Sequence, residues 1–113
     1  MMNKEQALNV LRNTFIELEM MGGIKVKLTL SFYLLKKLEE KNPELTDAYY
    51  ALQRKKQTEL RDHHLITLLY TAYACANLND PEMMDEETFA ILLPNDREEI
   101  GDVARRLMGG KKN

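Results

Sequence analysis

Hydrophobic and polar side chains alternate in two runs within residues 14–30. Ile16, Leu18 and Met20 are separated by Glu17 and Glu19. After Met21, Gly22 and Gly23, the residues Ile24, Val26, Leu28 and Leu30 are separated by Lys25, Lys27 and Thr29. A period of two marks a strand with one buried face, and two such runs around a Gly-Gly predict a β-hairpin. The register follows from the same pattern. With Met21–Gly23 looped out, Met20 faces Ile24, Leu18 faces Val26 and Ile16 faces Leu28 on one side. On the other side Glu19 meets Lys25 and Glu17 meets Lys27. A two-residue loop at Gly22-Gly23 would set Glu19 against Val26 and Met20 against Lys25. A slip of one residue turns a whole apolar set outward, so only the first register suits a buried face. A three-residue loop needs a left-handed residue at its third place, which Gly23 supplies. Opposed charges contribute about 0.2–1 kcal/mol per pair, which selects a register without holding the ribbon together. A two-stranded ribbon is not stable alone, so its apolar face is expected to lie on helices.

The periodicity on either side is helical. Ser31 is placed to N-cap a short helix over Phe32 to Lys41, with Leu34, Leu35 and Leu38 as its stripe. Asn42-Pro43 ends that helix and starts the next, because Pro disfavours helical geometry before it and suits a first turn. The next helix is predicted to run to about Gln57 with Leu45, Ala48, Tyr49 and Leu52 on its inner face. Arg54, Lys55 and Lys56 would then lie in its last turn, where cations suit the helix dipole. Thr58 is the expected cap of a third helix over residues 59–77. It is apolar nearly all round from Leu65 onward, which predicts a central, buried position. Asn79-Asp80-Pro81 reads as a loop. Asp85 is the predicted cap of a helix over 86–93, with Phe89, Leu92 and Leu93 inward, broken by Pro94. Asn95 and Glu98 form the spacing of a capping box for a last helix over 95–108. Ile100, Val103, Ala104 and Leu107 face the core there, and Gly109 is the stop. Residues 3–12 have weaker helical character, with Ala7, Leu8 and Leu11 on one side and Asn3 as cap; a frayed arm is the alternative.

These elements predict an α+β fold, a mostly α-helical single domain in which an N-terminal two-stranded antiparallel hairpin packs on four or five helices. Residues 1–13 would form an arm or short helix, 14–109 the domain and 110–113 a loose tail. The composition agrees with one globular unit. The chain has 113 residues, 44% of them hydrophobic and 30% charged. That is too apolar for disorder and, with five Gly and three Pro, too ordered for a linker. A single Cys leaves no internal disulfide framework. The longest stretch without a formal charge, Leu65 to Asn79, falls short of the roughly 18 residues of a membrane span. The opening MMNKEQ has no apolar core of a signal peptide. The expectation is a soluble intracellular protein.

Net charge is −2, which argues against broad nucleic-acid binding, but the charge is unevenly placed. Residues 78–99 hold eight carboxylates against Arg97 alone. Residues 31–58 hold six Lys and Arg against four carboxylates. Such asymmetry suits self-association or docking on a charged partner, or simply a solvated surface.

Nothing in the chain reads as catalytic. Asp62-His63-His64 is the most suggestive cluster, but adjacent residues on a helix point about 100° apart and do not share a ligand face. Cys75 lies eleven residues beyond His64, about 16 Å along a helix axis. His64 is therefore expected at the edge of the core, His63 in water and Cys75 in the core as a small apolar residue. The acidic stretch from Asn77 to Glu86 lacks the Asp spacing and the Gly of a calcium loop. No catalytic residue, cofactor site or metal site is expected. The two C-terminal helices around Pro94 have the outline of a helix-turn-helix. The first turn of the second holds Asp96, Glu98 and Glu99, which repel phosphate. A nucleic-acid-binding regulator using Arg97, Arg105 and Arg106 is the alternative function.

Six of the seven methionines form pairs, Met1-Met2, Met20-Met21 and Met83-Met84, at the chain start, the hairpin tip and the acidic loop. Met is flexible and polarizable and is over-used on adaptable protein-binding surfaces. Met20, Met21, Met83 and Met84 are accordingly the candidate protein-binding residues, which would grip an apolar segment of another protein.

The order of elements carries a resemblance. The hairpin is followed by LTLSFYLLKKLEEKNPEL (28–45), LLYTAYACANLND (68–80) and MDEETFAILLPNDREEIGDVARRLMG (84–109). Local phrases include Asn77-Leu78 after the Ala/Tyr run and Glu87-x-Phe89 before Leu93-Pro94. The pattern resembles the small tail assembly chaperones of long-tailed bacteriophages, over roughly residues 14–109. The resemblance implies a non-enzymatic protein of the host bacterial cytoplasm. Its partner would be the tape-measure protein, which it keeps soluble until the tail tube polymerises, with the tube protein as a possible second partner. The family supplies no binding residues, so the four methionines rest on composition alone.

Overall fold

The hairpin sets the frame. The computed structural model, which describes residues 1–109, pairs β1 (Ile16–Glu19) with β2 (Lys25–Leu28) as an antiparallel ribbon. The partners are Ile16 with Leu28, Glu17 with Lys27, Leu18 with Val26 and Glu19 with Lys25, the register expected from the alternation. Leu18, Met20, Val26 and Leu28 are buried on the inner face. The tip is a turn over Met21–Gly23, in which the Gly23 N–H donates to the Met20 carbonyl oxygen at 3.2 Å. Both glycines are left-handed. Gly22 has φ +84° and ψ 4°, and Gly23 has φ +80°. The first is the geometry a type II turn requires of its third residue, so the tip needs two glycines where the loop rule asked for one. Ile24 departs from expectation. It is 47% exposed because it lies at the ribbon tip, past the reach of the helices.

Helices complete the domain: α1 (Lys4–Arg12), α2 (Phe32–Lys41), α3 (Pro43–Leu52), α4 (Asp62–Ala76), α5 (Glu86–Leu92) and α6 (Arg97–Leu107). The centre is α4, where every residue from Leu68 to Cys75 is buried. It packs against β2, α2, α3, α5 and α6, while β1 meets α6. Small residues let the ribbon come close. The Thr29 N–H donates to the Ala72 carbonyl oxygen of α4 at 3.1 Å. Ser31 caps α2, Asn42 caps α3 with Pro43 in its first turn, and Asp85 caps α5, each through its side-chain oxygen. Asn3 caps α1 and receives support from Gln6 in a reciprocal capping box, so the N-terminal segment is a helix and not a frayed arm.

Several boundaries differ from the sequence reading. Helix α3 stops at Leu52, not near Gln57, and Arg54, Lys55 and Lys56 follow it as exposed residues. Beyond Leu52 the chain has no apolar side chain to bury until Leu60, and most helical stability comes from a packed face. Ala48 is exposed while Thr46 is fully buried. The Thr46 hydroxyl donates to the Pro43 carbonyl oxygen at 3.1 Å, which removes the penalty of burying it. Thr58 lies in a turn over Gln57–Glu59, and α4 begins at Asp62 after Arg61. Asp96, not Asn95, caps α6; its Oδ1 accepts from the Glu98 and Glu99 N–H groups at 3.1 and 3.2 Å. A carboxylate there also suits the positive end of the helix dipole. Gly109 ends the helical run with φ +104°. The expected tail at 110–113 lies outside the described residues. Among those described, no helix is long and apolar enough to cross a membrane.

Candidate functional site

The four candidate methionines differ in exposure. Met20 is 2% exposed and belongs to the core, so its side chain offers no contact area to a partner. Met21 is 39% exposed at the hairpin tip, beside the exposed Ile24. Met83 and Met84 are half-buried against the core. The loop that carries them is fastened by two tyrosines of α4. The Tyr70 hydroxyl donates to the Met84 carbonyl oxygen at 2.9 Å, and the Met84 N–H donates to the Tyr73 hydroxyl oxygen at 2.8 Å. Burial raises the Tyr70 phenol above its ordinary pKa, with smaller contributions from Tyr73, Glu86 and Asp85, so it keeps the proton it donates. The alternation of the hairpin places Met20 on the inner face, a position that methionine composition alone does not register.

The histidine cluster is structural. The His64 Nδ1 accepts from the Arg61 N–H at 2.9 Å, closing the first turn of α4. Desolvation, followed by the charges of His63, Lys55 and Arg61, lowers its pKa, which favours the neutral ring that can accept this bond. His63 is exposed, with its ring centroid 4.0 Å from that of His64. Cys75 is buried, and burial pushes its thiol up to about 12, which removes any thiolate nucleophile at neutral pH. Among the described residues, no group of three or more His, Cys, Asp and Glu side chains stands close enough to hold a metal ion.

Asp62 has a partner that spacing did not reveal. Its two carboxylate oxygens accept from the Arg97 guanidinium at 2.6 and 2.8 Å, across thirty-five positions of chain. This fork ties the start of α4 to the start of α6. Arg105 pairs with Asp102 on its own helix through a single contact. Two of the three cations assigned to a nucleic-acid surface are thus neutralised by neighbouring carboxylates, which weakens that arrangement for phosphate.

A concavity lies elsewhere. An open trough of about 520 Å³ runs between α1, α2 and the end of α4. Its walls are Leu8 and Leu11 of α1, Phe15 after it, Tyr33 and Leu34 of α2, and Leu78 beyond α4. Arg12, Lys37, Glu40 and Lys41 stand around it. Its floor includes Cys75 and Ala76. Lys41 Nζ donates to the Leu78 carbonyl oxygen at 2.6 Å, pinning the chain where it leaves α4. No residue of α1 is buried, so that helix forms a wall without being absorbed into the core. Phe32, at the start of α2, is 91% exposed beside Tyr33. The sequence carried a signal for this surface. Tyr33 is surplus to the Leu34, Leu35 and Leu38 stripe, and Phe15 continues the Leu8 and Leu11 spacing.

A second, smaller apolar slot of about 360 Å³ lies behind the Asp62–Arg97 pair, among Leu65, Ile66, Leu93, Pro94 and Ile100. Comparison with protein-family models, with curated proteins and with solved structures found no match to this chain.

Proposed function

We propose that the chain is a bacteriophage tail assembly chaperone, a non-enzymatic protein of the bacterial cytoplasm that holds the tape-measure protein soluble until the tail tube polymerises around it. The observation that carries the reading is the open apolar trough beside α1. A long amphipathic rod exposes a continuous apolar strip, which invites aggregation. Many copies of a small domain, each offering a shallow apolar trough, suit the covering of such a strip. Weak single contacts let tube subunits displace the copies, while repetition along the rod supplies avidity. The element order that resembles this family supports the same reading independently of the trough.

The test is co-expression with a bacteriophage tape-measure protein, taken from the genome that encodes this chain if one is present there. The expected outcome is that the tape-measure protein moves from the pellet to the soluble fraction and is retained with the tagged chain on an affinity column. An unchanged pellet with no co-retention overturns the reading. A salt-sensitive shift of duplex DNA by the purified chain would favour the nucleic-acid alternative instead.

A further inference from the structure

We propose that the trough between α1 and α2 receives an amphipathic helix of another protein whose apolar stripe is flanked on both sides by carboxylates. The inference rests on the holding role proposed above and specifies the chemistry of the segment held.

The shape argues for a helix. The walls are ridges of two helices, with Leu8 and Leu11 spaced i, i+3 on one side and Tyr33 and Lys37 spaced i, i+4 on the other. Among the described residues none of β1 or β2 lines the trough, and the Leu78 carbonyl oxygen at its end is already taken by Lys41. An extended segment laid there would bury amide groups without partners. A helix satisfies its own backbone and needs only an apolar face to dock.

The charges choose the kind of helix. Arg12 stands on the α1 wall, and Lys37 and Lys41 stand on the α2 wall, against one carboxylate, Glu40. Among the described residues none of these three cations is in an ion pair. Lys37 lies over the Tyr33 ring, 5.6 Å from its centroid, and Arg12 Nη1 donates to Asn9 Oδ1. Both walls therefore present positive charge at the mouth of an apolar trough. This is opposite to the molecule as a whole, whose net charge is −2. A helix with Asp or Glu on both flanks of its stripe matches the trough, while one with Lys on both flanks is repelled there.

The probe is a pair of fluorescein-labelled, end-blocked 21-residue synthetic peptides, roughly six helical turns. Each carries an identical Leu stripe at heptad spacing, flanked by Glu in one peptide and by Lys in the other. Binding to the full chain is read by fluorescence anisotropy at moderate salt. The Glu peptide is expected to bind at least tenfold more tightly than the Lys peptide, against the trend set by net charge. Leu8→Glu with Leu11→Glu is expected to lower that affinity tenfold or more, with unfolding still cooperative and its thermal midpoint lowered only as far as two half-buried leucines allow, because α1 holds no fully buried residue. Arg12→Gln with Lys37→Gln is expected to remove the preference for Glu over Lys. Ile91→Ser, on the exposed side of α5 and outside the trough, is expected to leave binding as it was.

Equal binding of the two peptides, a preference for Lys, or full binding by the Leu8/Leu11 variant overturns the proposal. So does a change of oligomeric state in that variant without any peptide binding, which would assign the trough to a second copy of the chain. The peptides contain no tape-measure sequence. Peptide binding without rescue of the tape-measure protein would reject the chaperone reading and leave the trough assignment standing; rescue without peptide binding would do the reverse.

Discussion

Phe89 has the plainest individual role. It is fully buried, and its ring centroid lies 5.5 Å from that of Tyr70 and 4.9 Å from that of Tyr73. The same two tyrosines hold the Met84 backbone, so one aromatic cluster fastens both α5 and the loop before it. Phe89→Ala is expected to destabilise the fold by about 3–5 kcal/mol, from lost transfer energy and the cavity left behind. Urea unfolding followed by far-UV circular dichroism measures it; a loss under about 1 kcal/mol would mean that the cluster relaxes into the gap. The phenylalanine was recognisable from its place in the α5 stripe. The hydroxyl bonds to Met84 were not, because no spacing rule links a helical tyrosine to a loop backbone fourteen residues away.

Among the elements, the junction of α4 with α6 has a pH signature. The Arg97 guanidinium, first by its hydrogen bonds and then by its charge, holds the Asp62 carboxyl below its ordinary pKa. A depressed carboxylate contributes stability above its unfolded pKa, near 4, and loses it as pH falls through the lower folded value. Asp62→Asn is therefore expected to be less stable than the parent at pH 7, and the gap is expected to close as the pH drops below about 4. Both side chains are largely exposed, so the effect is small and weakens with salt. Thermal melts of the two proteins between pH 2.5 and 7 measure it; a gap that does not narrow as the pH falls below 4 would refute the ion pair as its cause. Helix α1 stands at the other extreme. It has a complete capping box and no buried residue, so local signals rather than packing define it.

For the whole molecule, the division between core and wall decides what can be removed. The core is the ribbon face, α4 and the inner stripes of α2, α3, α5 and α6. Residues 1–12 add Leu8 and Leu11, which are half-buried. Deleting residues 1–12 is expected to cost about 2 kcal/mol or less, well under the loss from Phe89→Ala, because two partly covered leucines bury little. The deletion also removes one wall of the trough, so binding of the acidic peptide is expected to vanish while cooperative unfolding survives. A melt that loses its cooperativity would make α1 part of the core. With a radius of gyration of 14.0 Å and extents of 42 × 33 × 27 Å, the domain is slightly less compact than the roughly 13 Å typical for its length.

Periodicity determined the hairpin and its register, the central place of α4 and the caps at Ser31, Asn42 and Asp85, because those features depend on neighbours along the chain. Strand alternation, helical stripes and cap oxygens act within a few residues and leave their marks in order. Tertiary structure alone decided where α3 ends and α4 begins, which carboxylate Arg97 meets, that Met84 is tied to two tyrosines, and that α1 and α2 stand apart to form a trough. Each of these is set by which surfaces meet once the core closes. That choice belongs to three-dimensional packing, where residues thirty-five positions apart become neighbours and adjacent ones such as Met20 and Met21 part between the core and the tip.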